Sequence, residues 1–201
     1  MTATAAAATE HTDFRHILIA GAKTGAMTAG AVVAYLAVFR SLEAGMPRSG
    51  ILALLTLAAG VAASFLPARW VGARSTEGVA SAAGAGLFGT VVFMAIDIIV
   101  LRPVKAYPWT WDAIGGDSSW WYLPIWWMLG TFLAWMGAII TARSASAAGI
   151  LRLAAPVVIG AVVLVSAARL SGLVFLLPFQ TGLAYTGLLG LAAVVALVRK
   201  S

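Results

Sequence analysis

An all-α, polytopic membrane bundle of about six transmembrane helices is predicted by three features of this sequence. It has 62% hydrophobic residues with a mean hydropathy of +0.97, only 10% charged residues, and long apolar runs separated by turn residues and single charges. A water-soluble chain carries roughly 25% charged residues, so the shortfall places this one in lipid. A hydrocarbon core about 30 Å thick takes ~20 apolar residues per helix. Six crossings then use most of the 201 residues and leave no room for a separate soluble domain. Turn signals between long apolar runs, rather than short alternating strands, exclude a barrel.

Residues 1–16 read as a cytoplasmic tail. It is Ala/Thr-rich and lacks the basic segment a signal peptide carries ahead of its apolar stretch, so it is expected to be retained. Residues 17–201 read as one transmembrane domain with apolar spans at Ile17–Phe39, Ile51–Leu66, Val79–Leu101, Trp121–Thr141, Leu153–Ala168 and Leu173–Val198. The second and fifth are short and the turn near Arg169–Gly172 is tight, so five spans or a re-entrant hairpin are the alternatives. Pro178 and Gln180 predict a kink near the outer end of the last helix.

Net charge +6 invites a nucleic-acid reading, but the cations are scattered singly at helix ends and form no basic patch. They fit loop cations that set orientation. With the N-terminus inside, Arg15, Arg69, Arg74, Arg143, Arg152, Arg199 and Lys200 lie on the inner side, against Arg40, Arg48, Arg102, Lys105 and Arg169 outside. This bias predicts a multi-pass protein, in a bacterial inner membrane, with both termini cytoplasmic and the Trp-rich connector 102–120 outside.

Gly21 and Gly25 make a GxxxG, and Gly30, Gly84 and Gly89 extend the small-residue spacing, so these five are expected to let helices approach closely. Gly25, Gly30, Val32 and Val33 recur as Gly84, Gly89, Val91 and Val92, an offset of 59 that suggests parallel copies of a hairpin or coincidence in an Ala/Gly-rich chain. The close approach predicts a tightly fitted interior rather than a roomy cavity.

Lys23 and Asp97 are the charges within apolar runs, and with Gln180 they are the candidate transport residues. Lys23 belongs near the start of its helix and Asp97 near the far end of a parallel one, so they are not expected to pair. Lys23 is expected to snorkel to the inner headgroups, and Asp97 to face Arg40 or Arg102.

Seven of the eight tryptophans lie between positions 109 and 135. Trp109, Trp111, Trp120 and Trp121 read as an outer interfacial belt, with Trp126 and Trp127 deeper; together they are the candidate surface for a partner subunit or lipid. Asp112 and Asp117 have no His or further acid beside them, and no catalytic constellation emerges. An enzyme acting on a lipid-linked substrate would need both carboxylates to converge on a groove. Cysteine is absent, which removes thiolate chemistry. His11 and His16 are five apart, off a common helical face, and Arg15 beside them disfavours a cation, so no metal site is expected.

The resulting expectation is a non-enzymatic accessory subunit docked among other integral membrane subunits, for example in an electron-transfer assembly. Membrane lipids or pigments would lie at its periphery without direct ligation. A small transporter or channel using Asp97, Gln180 and Lys23 is the alternative.

Overall fold

A computed structural model of the protein describes residues 11–107, 122–143 and 149–199. These residues contain six helices long and apolar enough to cross a membrane, and no strand, so the chain is an all-helical multi-pass membrane protein. The helices are α1 Phe14–Ser41, α2 Met46–Val71, α3 Thr76–Ile96 continued by a π-helical turn at Asp97–Leu101, α4 Tyr122–Arg143, α5 Ile150–Leu170 and α6 Leu177–Val198. The connector tryptophans Trp109, Trp111, Trp120 and Trp121, with Asp112 and Asp117, lie outside the described residues.

Local chemistry sets the boundaries. Asp13 caps α1 by accepting from the His16 amide at 3.0 Å, and Ser75 caps α3 by accepting from the Gly78 amide at 3.1 Å. α2 ends at Gly72, whose φ of 68° lets the following Ala73 amide reach back to the Ala68 carbonyl at 2.8 Å. The second span is therefore not short. The span expected to end at Leu66 continues past Pro67, because Phe65, Ala68 and Val71 are all buried around it and their packing outweighs the hydrogen bond a proline forfeits. α6 corrects the expected kink. Pro178 stands in its first turn, where a missing N–H is no loss, and residues 173–176 belong to the α5–α6 connection.

α2 is the central helix, packed on α1, α3, α4 and α6, while α3 lies between α1 and α4 and α5 rests mainly on α6. One end of the bundle, the terminal face, brings the start of α1 to the end of α2, where the His11 amide donates to the Val71 carbonyl at 2.9 Å. At the opposite end, the connector face, Arg40 of α1 donates to the carbonyls of Lys105 and Ala106 at 2.9 and 2.7 Å.

Small residues close the bundle from its middle toward the terminal face. A Cβ at Gly25 would stand 2.6 Å from the Gly89 carbonyl oxygen, and one at Gly89 2.8 Å from Thr24 Cβ, which marks the α1–α3 crossing. Gly21 meets Phe88 of α3 in the same seam, its virtual Cβ 2.7 Å from the ring. Backbones approach this closely only where no side chain intervenes. Two of the five expected glycines serve differently. Gly30 has nothing within 4 Å, and Gly84 makes only an ordinary 3.5 Å contact with Ile17. The offset-59 pattern thus has no counterpart in the packing. The tightest positions are others: Gly130 at the α3–α4 crossing, and Gly137 of α4, whose Cβ would fall 2.0 Å from the Ser64 carbonyl oxygen of α2.

Candidate functional site

Toward the connector face the same helices leave a chamber of about 730 Å³, partly open to the surroundings and walled by α1, α2, α3, α4 and α6. This overturns the expectation of a closely fitted interior throughout. The physical reason lies in side-chain size. Where the terminal half uses glycine and alanine, the chamber is framed by Tyr35, Phe93, Trp126, Phe179 and Tyr185, whose rings hold the helix backbones apart. Gly60 makes room for one of these rings, since its virtual Cβ lies 3.0 Å from the Tyr185 ring.

The walls are apolar even where hydroxyls occur. Thr28, Thr56 and Thr186 each donate to the carbonyl four residues earlier in their own helix, at 2.8, 2.9 and 2.8 Å, and so turn their hydrogen inward to the backbone. Tyr185 donates to Ser64 Oγ at 3.1 Å, and Ser64 in turn donates to the Gly60 carbonyl at 2.7 Å, which ties α6 to α2 at the chamber's inner limit.

At its connector end the chamber meets Asp97, 2% exposed and the first residue of the π-helical turn. π-Helical turns insert one residue into a helix and concentrate at functional positions. Arg102 Nε donates to Asp97 Oδ2 at 3.0 Å and the Tyr107 hydroxyl donates to Oδ1 at 2.5 Å. The arginine is supplied by the turn itself, because the wider i to i+5 register, closed by the Arg102 amide on the Asp97 carbonyl at 2.9 Å, sets residues 97 and 102 one above the other. The tyrosine is returned by a reversal at Lys105, whose φ of 51° is left-handed and costs a non-glycine residue about 1 kcal/mol. The Arg40 bonds to Lys105 and Ala106 hold that reversal in place. Burial and then the hydrogen bond to Asp97 push the Tyr107 phenol well above its ordinary range, so it stays a donor.

Of the candidate transport residues, only Asp97 reaches the chamber. Lys23 is exposed on α1 near the terminal face, its Nζ 5.7 Å from the Trp70 ring centroid, and it does not approach Asp97. Gln180 is buried but committed to the α5–α6 connection. Its Nε2 donates to the Leu173 carbonyl at 2.7 Å, and its Oε1 accepts from Arg169 Nη1 at 3.1 Å. Trp126 turns inward to the chamber and packs at 58° on Phe93, with centroids 5.6 Å apart. Trp127 and Trp135 point outward, 39% and 48% exposed.

The sequence set Asp97 opposite Arg40 or Arg102; Arg102 is the partner and Arg40 holds the reversal instead, while Tyr107, Tyr35 and Tyr185 were not foreseen. A signal was present for Tyr107, which stands only ten residues from the acid, but its return depends on the reversal at Lys105. A second cluster appears at the terminal face, where the His11 and His16 rings stack with centroids 4.5 Å apart although their spacing argued for separation. His11 precedes the helix, so helical spacing does not govern it. A scan against protein-family models and searches of curated proteins and solved structures found no match.

Proposed function

We propose that the protein is a non-enzymatic membrane subunit that holds the apolar portion of a lipid-like amphiphile in the chamber, with the guest's polar end at Asp97, Arg102 and Tyr107. The carrying observation is the combination of an apolar, partly open cavity of about 730 Å³ with one polar terminus. Ligand sites have this character, with mostly apolar walls and a few polar groups that fix orientation. The volume suits acyl or isoprenoid chains. An ion or proton path is less well supported, because the wall threonine hydroxyls are turned to their own helices and neither Lys23 nor Gln180 adds a second station.

The test is mass spectrometry of lipids retained after purification in mild detergent, comparing the native chain with Ala59→Phe, which sets a phenyl ring into the chamber from α2. The native chain is expected to retain about one amphiphile per chain, and the variant to lose most of it while unfolding at an unchanged denaturant concentration. The mass of the guest separates a phospholipid from an isoprenoid. No retained amphiphile, or equal retention by the folded variant, would sink the reading.

Docking in a larger membrane assembly is a second reading, favoured by α4. It has the smallest buried share of the six spans and exposes Ile125, Trp127, Met128 and Trp135. Aromatic residues and methionine are the types enriched at interfaces. Co-purified integral membrane chains, released by charged substitutions at Trp127 and Met128, would support it.

A further inference from the structure

We infer that His11, Asp13 and His16 form a binding site for a transition-metal dication at the terminal face. The three residues are brought together by backbone structure. The His11 amide donates to the Val71 carbonyl at 2.9 Å, which pins the segment before α1 to the last turn of α2. Asp13 is the N-cap of α1. Its Oδ1 accepts from the His16 amide at 3.0 Å, and its Oδ2 pairs with His16 Nδ1. The His11 ring then lies over the His16 ring, centroids 4.5 Å apart and planes 15° from parallel. One ligand atom from each residue falls within 4.8 Å of the other two.

The donor set defines the class of ion. Two imidazoles and a carboxylate suit Zn²⁺, Ni²⁺ and Cu²⁺, whereas Mg²⁺ and Ca²⁺ prefer oxygen alone. Metal–ligand bonds of about 2.1 Å require the donor atoms to draw in by roughly an ångström and the stacked rings to splay, so that both in-plane lone pairs meet at one point. All three side chains are exposed and have the freedom to do so. Water fills the remaining positions. The His16 amide fixes the Asp13 carboxylate through Oδ1, while Oδ2 and His16 Nδ1 pair with each other and would exchange that contact for bonds to the metal. Arg15 is exposed beside the cluster; its charge weakens affinity for a dication without occupying a donor atom.

The composition makes the test clean, because His11 and His16 are the only two histidines in the chain. The full chain, carrying a histidine-free tag and stripped with chelator, is titrated with Zn²⁺ by calorimetry and with Co²⁺ by visible absorption. One equivalent per chain is expected, with Co²⁺ bands typical of mixed nitrogen and oxygen ligation. His11→Ala and His16→Ala should each weaken binding at least about tenfold, the scale of losses at metal-site partners. Asp13→Asn keeps a good helix cap while removing the charge, and is expected to weaken binding by a similar factor with the helix content unchanged. Failure to saturate near one equivalent would overturn the proposal, as would a His11→Ala/His16→Ala double variant that binds like the native chain.

Discussion

Gly137→Ala should destabilise the bundle by about 3 kcal/mol, at the upper end of what overpacking costs. The added Cβ would lie 2.0 Å from the Ser64 carbonyl oxygen and 2.5 Å from its carbonyl carbon. Both are backbone atoms of α2, so no side-chain rotation relieves the clash and the two helices must separate. Their separation would also disturb the bond from Tyr185 to Ser64 that joins α6 to α2. Gly30→Ala is the matched control, since its Cβ meets nothing within 4 Å. It is expected to be neutral or to stabilise by up to about 1 kcal/mol through helix propensity. Unfolding in mixed micelles by added denaturing detergent reads both. Equal midpoints for the two variants would remove the α2–α4 seam from the account of stability.

Asp97→Ala should cost about 3 kcal/mol, the lower end for breaking a buried ion pair, because the Arg102 side chain keeps 25% of its surface exposed and recovers some solvation. The loss comes from two donors that were both aimed at the carboxylate. Asp97→Asn keeps the shape and an acceptor oxygen, and is expected to cost about 1 kcal/mol. Tyr107→Phe removes one donor to a charged acceptor, for about 1.5 kcal/mol. The order of the losses is the diagnostic, read in the same unfolding assay: Asp97→Ala largest, Tyr107→Phe next and Asp97→Asn smallest. Were Asp97→Ala as stable as the native chain, the carboxylate would have no role in holding the π-helical turn and the following reversal together.

The sequence revealed composition-level structure well and three-dimensional detail unevenly. Six spans were legible because hydropathy integrates over some twenty residues and forgives a proline at position 67 or 178. Gly21, Gly25 and Gly89 were legible as close-approach positions because GxxxG spacing reflects one helix face. Gly137 was not singled out, although Gly130, Ala134 and Ala138 repeat at small-residue spacing on the same helix; its importance lies in the partner it meets. For Asp97 the sequence left Arg40 and Arg102 as alternative partners, and the i to i+5 register of the π-helical turn selects Arg102. The chamber did not follow at all, because it arises from where aromatic rings on four helices happen to converge. The stacking of His11 on His16 was hidden for a related reason: helical spacing rules apply within a helix, and His11 precedes its N-cap.

The central position of α2 carries a cost in the order of synthesis. Its Ser64 acquires Tyr185 as a partner only 121 residues later. At ribosomal rates of about 5–20 residues per second, that surface waits roughly 6–24 s in the bilayer before its last neighbour emerges. The nascent hairpin must therefore be sheltered by the insertion machinery or by its own early contacts with α1, and a ribosome stalled ahead of the final helix would leave a product with its middle unfinished.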